Sequence, residues 1–296
     1  MELLQQLQQG NIKVLSRIIS LVENEAGAYY DILTQLPASG TKITGITGPP
    51  GAGKSTLVDS LIGAYVAQGK KIGVLCVDPS SPFNLGALLG DRIRMNEWYN
   101  NPNVFIRSLS ARGSLGGLHP KIIEITDVMK AAPFDHIIVE TVGVGQSEVE
   151  IAGLADTTVV VVVPEGGDEV QTMKAGLMEI ADIFVVNKAD RPGADAYIKN
   201  LRQMLAPAFN RTPNTVAILK TIALQKKGIK ELCEAITTYQ MENQTNEKKS
   251  WLLADKAYHL VQQFKMKAIK KEDLKKEIEQ QTGPFNLYRF VEKYYN

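Results

Sequence analysis

A glycine-rich segment between a predicted strand and a predicted helix most limits how this chain can fold. The run 42–47 is short and partly β-branched, which predicts a strand, and apolar residues at helical spacing in 56–66 predict a helix. The segment between them matches Gly-x-x-x-x-Gly-Lys-[Ser/Thr] and consists of Gly48, Pro49, Pro50, Gly51, Ala52, Gly53, Lys54, Ser55 and Thr56. Such a loop at a helix N-terminus is suited to bind phosphate. A nucleoside triphosphate is the expected ligand, and a chance match in a glycine-rich loop is the alternative.

Two side chains of this phosphate loop have separate expected roles. Lys54 is expected to reach the β- and γ-phosphates, while Ser55 is expected to place its hydroxyl on Mg²⁺. Backbone N–H groups and the helix dipole add further positive potential at the same place. The loop therefore predicts both a phosphate site and part of a metal site.

The segment Asn187-Lys-Ala-Asp190 indicates which base is bound. It follows the apolar run 181–186, which predicts a buried strand. The Asp190 carboxylate is expected to accept hydrogen bonds from the guanine N1–H and exocyclic amine, a pattern that adenine lacks. Asn187 is expected to brace the loop, and the aliphatic stem of Lys188 to cover one face of the base. A polar turn after a strand is the alternative. Because the segment lies downstream of a phosphate loop, base binding is the favoured interpretation, with guanine favoured over adenine.

Two carboxylates stand at the ends of other predicted strands. Asp78 follows the apolar run 71–77, and Glu140 ends the run 135–140. Ligands of parallel sheets lie outside the carboxyl ends of the strands, so both residues are expected to face the phosphates. Mg²⁺ requires oxygen ligands and keeps several waters. The alternative for Asp78 is a helix or turn cap before Pro79.

Glycines follow Glu140 in the sequence. Gly143 and Gly145 are expected to let the backbone approach a γ-phosphate, and ordinary loop glycines are the alternative. No glutamine follows Gly143, where a water-orienting residue is expected; Val144 stands there instead. This predicts slow intrinsic hydrolysis and a partner that completes the site.

The order of predicted elements indicates an α/β chain. Residues 41–240 alternate apolar strands with amphipathic helices, which predicts a three-layer P-loop NTPase fold with a mostly parallel sheet. Residues 1–40 form a predicted helical N-terminal extension, and residues 241–296 a helical C-terminal extension. The latter carries a C-terminal apolar stripe of Trp251, Leu252, Leu253, Tyr258, Leu260, Val261 and Phe264.

Charge and composition narrow the class of protein. In 296 residues, 33 Lys and Arg oppose 32 Asp and Glu, and this net charge of +1 argues against nucleic acid as an obligatory partner. The basic run 265–276 is expected to be a solvated helix face, with docking of an acidic partner as the alternative. No leader and no membrane-length apolar run is evident, which favours the cytoplasm. Cys76 and Cys233 are expected to be buried thiols.

The motifs together resemble a known family. In chain order, GPPGAGKST, VDPSSP, LGALLGDRIRM, NPNVFIRS, SARGSLGGL, ETVGVGQSE, GDEVQTMKAG and NKAD are similar to the MeaB/ArgK group. These proteins are GTPase chaperones of methylmalonyl-CoA mutase and related cobalamin-dependent acyl-CoA mutases. The resemblance covers about residues 10 to 240. It implies GTP/GDP and Mg²⁺ as ligands, an acyl-CoA mutase as partner, and a homodimer for which the C-terminal apolar stripe offers a surface; folding of that stripe onto the chain's own sheet is the alternative.

The resemblance also implies roles for individual residues. Asp78, Asp91 and Glu140 are expected to join Ser55 in the Mg²⁺ and switch apparatus. The segment 164–174 resembles an additional switch. The catalytic set implied in this way comprises Lys54, Asp91, Glu140 and Lys174. Arg107 and Arg112 are further candidate charge donors, or else surface residues tied to carboxylates.

Two departures from the family pattern affect these expectations. The usual Ser-Ala guanine loop is Ile222-Ala223 here, which removes a hydroxyl. The Ala223 backbone N–H is still expected to bond guanine O6. Glu165 stands in the additional switch where a smaller residue is expected, which affects the nucleotide response.

Three other functions remain open at this stage. A nickel metallochaperone GTPase would need clustered metal ligands, but His119, His136 and His259 lie far apart without ligand spacing. A kinase acting on an amino-acid-binding transport protein would use ATP, against the guanine motif. A scaffold that binds nucleotide without hydrolysis is the third. The client mutase is not specified by the sequence.

Overall fold

The computed structural model describes residues 2–78, 95–111, 118–143, 147–164, 175–205, 216–242, 247–281, 283 and 285–294. Within these, only the backbone is described for 147–149, 175, 247–249, 251 and 252. The chain divides into two compact units, Met1–Lys249 and Ser250–Asn296.

Seven strands of the first unit form one sheet. They are β1 Lys42–Thr47, β2 Ile72–Asp78, β3 Val104–Ser110, β4 His136–Glu140, β5 Thr157–Val162, β6 Ile183–Val186 and β7 Ala217–Lys220. The spatial order is β3-β2-β4-β1-β5-β6-β7, and each neighbouring pair is parallel. Most strands are buried along their whole length, as expected for a parallel sheet covered on both faces. The predicted α/β fold is confirmed.

Helices connect and cover these strands. Those of the first unit are α1 Glu2–Gln8, α2 Ile12–Glu23, α3 Tyr29–Thr34, α4 Lys54–Ala67, α5 Ile122–Ala131, α6 Ser147–Leu154, α7 Ala175–Ile180, α8 Ala194–Leu205 and α9 Ile229–Glu242. Short 3₁₀ turns lie at Asn96–Trp98 and Ala223–Gln225. α10 Glu247–Met266 spans the unit boundary, and α11 Lys271–Glu279 and α12 Leu287–Glu292 belong to the second unit. Among the described helices, none is apolar over a length sufficient to cross a bilayer.

The alternation of side chains along each strand divides the core between the two sheet faces. Leu75 and Val77 of β2 join one buried cluster, which includes residues of α2, α5 and α6. Val74 and Cys76 join another, which includes residues of α4 and α9. The sheet therefore has helices on both sides, which is the predicted three-layer arrangement. Cys76 and Cys233 are free and buried, as predicted.

The N-terminal helices contribute to the first of these clusters. Asn11 caps α2, because its side chain accepts from the N–H groups of Lys13 and Val14. The apolar stripe of α2 is buried in the core and comprises Val14, Leu15, Ile18, Ile19 and Val22. Burial of that stripe stabilises the helix more than its intrinsic propensity does.

In the second unit, Phe290 is buried, and its ring lies 5.7 Å from that of Phe285 and 5.9 Å from that of Tyr294. Glu277 accepts hydrogen bonds from Lys293 and Tyr294. Several residues of the C-terminal apolar stripe are largely exposed: Leu253 by 57%, Tyr258 by 65%, Val261 by 56% and Phe264 by 73%. Trp251 and Leu252 have side chains outside the described part.

Candidate nucleotide site

The phosphate loop joins the end of β1 to the start of α4. The helix begins at Lys54, two residues before the start of the predicted helical run, so Lys54 and Ser55 lie in its first turn. Gly53 precedes the helix with a φ of 87°, a conformation that glycine adopts without strain. The first N–H groups of a helix lack partners within it and point out of its N-terminus. Here they point toward the loop, as an anion site requires.

Lys54 is held against this loop. Its side chain is buried, and Nζ donates to the carbonyl oxygens of Gly48 at 2.9 Å and Pro49 at 3.2 Å. Gly143 lies directly beside it, with a φ of 81°. A Cβ at Gly143 would stand 2.2 Å from Lys54 Nζ and 2.5 Å from the Gly48 oxygen. The segment after β4 therefore touches the lysine expected to bind phosphate.

Ser55 and Glu140 form the oxygen-rich part of the site. Ser55 Oγ donates to Glu140 Oε1 at 2.7 Å, and both side chains are buried. Glu140 ends β4, which pairs with β1, while the buried Asp78 ends β2 on the other side of β4. The carboxyl ends of these strands meet at one edge of the sheet, as predicted.

The donor set fits a magnesium ion. Ser55 supplies a hydroxyl and Glu140 a carboxylate, which are hard oxygen ligands in direct contact. Within the described residues no group of three or more His, Cys, Asp or Glu could hold a metal alone. Few protein ligands are needed, because nucleotide-bound Mg²⁺ takes most of its ligands from phosphates and water.

Asn187 links the base side of the site to the phosphate loop. This buried side chain donates from Nδ2 to the Ala52 oxygen at 2.9 Å. Its Oδ1 accepts from Thr221 Oγ1 at 3.0 Å and from the Ala223 N–H at 3.1 Å. A Cβ at position 53 would stand 2.5 Å from Asn187 Nδ2, so glycine is required there. Asn187 therefore contacts the phosphate loop directly.

Lys188 and Asp190 lie beside this brace. Lys188 adopts a φ of 54°, and its Nζ donates to the Gly51 oxygen at 2.8 Å, so its stem lies over the loop. Asp190 is exposed at the end of the motif, and no described residue bonds its carboxylate. It therefore remains accessible to a ligand.

Ala223 opens the 3₁₀ turn that stands where the guanine loop was expected. Its N–H, the expected donor to guanine O6, donates to Asn187 Oδ1 in this structure. Its carbonyl oxygen accepts from Ser60 Oγ at 2.8 Å. Sequence reasoning gave no role to Thr221 or Ser60. The position of Thr221, directly before Ile222-Ala223, could have indicated its role. A lone serine within a helix gives no such indication.

Other candidate residues lie apart from this site. Arg107 on β3 donates to Glu23 at 2.7 Å and to Ser20 at 3.2 Å, which supports the alternative of a residue tied to a carboxylate. His136 contacts Thr44, and His259 contacts Gln263, so no histidine cluster forms in the described part. The remaining expectations lie outside the described residues: Asp91, Arg112, Val144, Gly145, Glu165 and Lys174.

Comparison with known proteins gives a family match over most of the chain. A family model described as methylmalonyl-CoA mutase-associated GTPase MeaB matches residues 15–281. A protein of Pyrococcus abyssi is 48% identical over 244 residues, which cover 81% of this chain and 75% of that protein. The GTPase ArgK of Escherichia coli is 36% identical over 250 residues, covering 81% of this chain and 75% of ArgK.

A solved structure shares the architecture. The crystal structure of a LAO/AO transport system kinase superposes with a TM-score of 0.69 at 25% sequence identity. The match covers 99% of this chain and 95% of that chain. It agrees with the P-loop fold described above.

Proposed function

Because the chain belongs to the family of methylmalonyl-CoA mutase-associated GTPases, we propose that it is a GTP-driven switch acting on a cobalamin-dependent acyl-CoA mutase. In this proposal, the switch gates the loading or protection of the mutase's adenosylcobalamin. The chain is a GTPase, like its named relatives. The observation that carries the switch is the contact of Gly143 with Lys54, next to the Ser55–Glu140 hydrogen bond.

Hydrolysis requires positioning and charge neutralisation more than covalent chemistry. In the proposed mechanism the loop N–H groups bind the β-phosphate, and Lys54 exchanges its two carbonyl partners for phosphate oxygens. Ser55 and Glu140 would hold Mg²⁺, with Asp78 at the same sheet edge and Asp91 as a further candidate. When bound, Mg²⁺ neutralises charge on the phosphates. We assign the attacking water to the segment after Gly143, completed by the partner.

Guanine recognition is assigned to the base side of the site. Asp190 accepts from the N1–H and the exocyclic amine, and the stem of Lys188 covers one face of the ring. The 3₁₀ turn Ala223–Gln225 is called the base turn here. Asn187 connects it to the phosphate loop, because it bonds both Ala52 and Ala223. The Ala223 backbone N–H is assigned as the donor to guanine O6, and it shares this hydrogen with Asn187 Oδ1.

The switch follows from the position of residues 140–143. Glu140 is bonded to Ser55, and Gly143 lies against Lys54. In this proposal, movement of the Ser55 and Lys54 side chains on phosphate binding displaces the chain after β4. That displacement would alter the surface offered to the mutase. We propose that Lys174, in the additional switch, acts once the mutase interface orders it.

A homodimer is proposed through the second unit. Its C-terminal apolar stripe exposes four large side chains, and exposed apolar patches mark interaction surfaces. We propose that 41–240 form the GTPase domain, 1–40 its helical extension and 241–296 the dimerisation arm. A cytoplasmic setting agrees with the two free cysteines.

The test of this function is a titration of purified acyl-CoA mutases against the GTP-bound and GDP-bound protein. Linkage requires the two nucleotide forms to bind the mutase with different affinities if the mutase alters nucleotide affinity. Methylmalonyl-CoA, isobutyryl-CoA and ethylmalonyl-CoA mutases are the candidates. Equal affinities for every mutase, with no change in hydrolysis, would overturn the proposal.

The second candidate function is that of a protein kinase. The observation in its favour is the match to the structure of a LAO/AO transport system kinase. A kinase of this kind would transfer phosphate to a protein hydroxyl. Incubation with radiolabelled ATP or GTP and an amino-acid-binding protein distinguishes the two. The switch predicts inorganic phosphate from GTP and no labelled protein.

A further inference from the structure

Ser60 connects the helix of the phosphate loop to the base turn. It lies in α4 and is 3% exposed, and its Oγ donates to the Ala223 oxygen at 2.8 Å across 163 residues of sequence. α4 begins at Lys54 and Ser55, the residues assigned to phosphate and metal. One helix therefore carries the phosphate-binding end of the site and a direct bond to its base-binding end.

The Ala223 peptide groups are held on both sides. The N–H donates to Asn187 Oδ1, and the carbonyl accepts from Ser60. Asn187 in turn bonds the Ala52 oxygen, just before α4. The bonds form a closed circuit from Ala52 to Asn187 to Ala223 to Ser60, and the circuit returns along α4. Such a circuit fixes the base turn relative to the phosphate loop.

The hydroxyl is not explained by the needs of the helix. Alanine is the better helix former, so serine at this buried position weakens α4 slightly. A serine or threonine within a helix often donates to the carbonyl four residues earlier, as Thr237 does to Cys233 in α9. Ser60 reaches another element instead. A buried hydroxyl is usually retained for a specific bond.

We propose that Ser60 is a positioning residue for guanine recognition, which it supports by holding Ala223 in the orientation that serves position 6 of the base. The inference rests on the proposed base site. Without the Ser60 hydroxyl, the Ala223 carbonyl keeps only the Lys226 N–H of its own turn, 3.0 Å away, as a donor. The bond that ties this turn to α4 is then lost, so Ala223 is held less firmly in that orientation. The contacts that Asp190 makes to the opposite part of the base edge do not depend on this peptide.

The test uses two base analogues with the full-length protein. 6-Thio-GTP changes the acceptor at position 6, and ITP lacks the amine at position 2. Dissociation constants for GTP and both analogues are compared in wild type, Ser60→Ala and Ser60→Cys, with buffer acidic enough to keep the thioguanine N1–H protonated. Thr237→Ala is the control, because it removes a helical hydroxyl from α9 without touching the base turn.

The expected result is a change confined to position 6. The preference for GTP over 6-thio-GTP should fall roughly three- to tenfold in Ser60→Ala, the equivalent of one net hydrogen bond. The preference for GTP over ITP should remain as in wild type. Ser60→Cys, which is near-isosteric and a weak donor, should behave like Ser60→Ala and provides the measurement if the alanine variant does not fold.

Three different results would overturn the inference. If wild type discriminates between GTP and 6-thio-GTP and the Ser60 variants discriminate equally, Ser60 does not position the base turn. If wild type shows no discrimination at position 6, the proposed contact of Ala223 with the base fails as well. A uniform loss of affinity for all three nucleotides would assign Ser60 to folding alone.

Discussion

Ser55 Oγ donates a hydrogen bond of 2.7 Å to Glu140 Oε1, although 85 positions of sequence separate the two residues. The bond joins the first turn of α4 to the end of β4, where the proposed switch, residues 140–143, begins. Because both side chains are buried, the pair is fixed by its surroundings. Its oxygens are the strongest candidates for Mg²⁺ in the described part of the chain.

Glu140→Gln tests this assignment. The amide can still accept the Ser55 hydrogen bond, but it lacks the negative charge that attracts Mg²⁺. The Mg²⁺ concentration for half-maximal GTP hydrolysis should rise on the order of 10- to 100-fold, while GDP affinity without Mg²⁺ should change little. Glu124→Gln is the control, since Glu124 is also buried but is paired with Lys121. An unchanged Mg²⁺ dependence would exclude Glu140 as a ligand.

Asp190→Ala tests the choice of base. Two hydrogen-bond acceptors for guanine are lost, and the donors of the base are left unpaired. GTP affinity should fall by about 2–4 kcal/mol, and the preference for GTP over ATP should fall with it. Asp195→Ala is a suitable control, because Asp195 is exposed and pairs with Lys220. Calorimetry that gives wild-type GTP affinity for Asp190→Ala would remove this residue from the base site.

The structure also predicts a pH dependence of stability. His136 is buried, with its Nε2 2.8 Å from Thr44 Oγ1 and its ring 5.0 Å from that of Tyr65. Burial, with a smaller effect of the Lys70 charge, lowers the pKa of His136 from 6.5 to about 4, against an opposing effect of Asp156. Between these two pH values the unfolded state therefore binds more protons than the folded state.

Lower pH should therefore destabilise the folded protein. The free energy of unfolding should fall as pH decreases from about 6.5 to about 4, by on the order of 3 kcal/mol in total. His136→Gln should flatten this part of the curve even if it lowers stability overall, whereas His259→Gln, at an exposed position, should not. Denaturant titrations at several pH values measure the slope. An identical slope in His136→Gln would contradict the assignment.

The sequence was sufficient for the elements whose signals are local. The phosphate loop, its strand and its helix were predicted because glycine spacing and apolar periodicity lie within one short segment. β3 was not predicted, because Arg107, Ser108 and Ser110 interrupt its apolar pattern; the strand is stable at the sheet edge, where Arg107 reaches Glu23. The bond of Ser60 to Ala223 was not predictable, since nothing in a helical serine indicates a partner 163 residues away.

The C-terminal apolar stripe provides a test of assembly. Val261→Asp with Phe264→Asp places two charges on the exposed apolar face of α10, and burial of such charges in an interface is unfavourable. Light scattering should show a monomer that retains GTP affinity. Gln262→Asp adds charge at an exposed position next to the stripe and should leave the dimer intact. A double variant that remains a dimer would place the interface elsewhere, as would a dimer formed by a chain lacking residues 248–296.

Stimulation by the mutase is the last expectation. Gly143 touches Lys54, but the next residue is Val144, which cannot orient water, so intrinsic hydrolysis should be slow and the partner should accelerate it.

Lys174→Ala should lower mutase-stimulated turnover more than intrinsic turnover, because a switch lysine ordered by the interface contributes only in the complex. Lys230→Ala, an exposed lysine on α9, is the control and should alter neither rate. Equal losses of both rates in Lys174→Ala would make this lysine part of the intrinsic site, and no stimulation by any candidate mutase would refute a completing role for the partner.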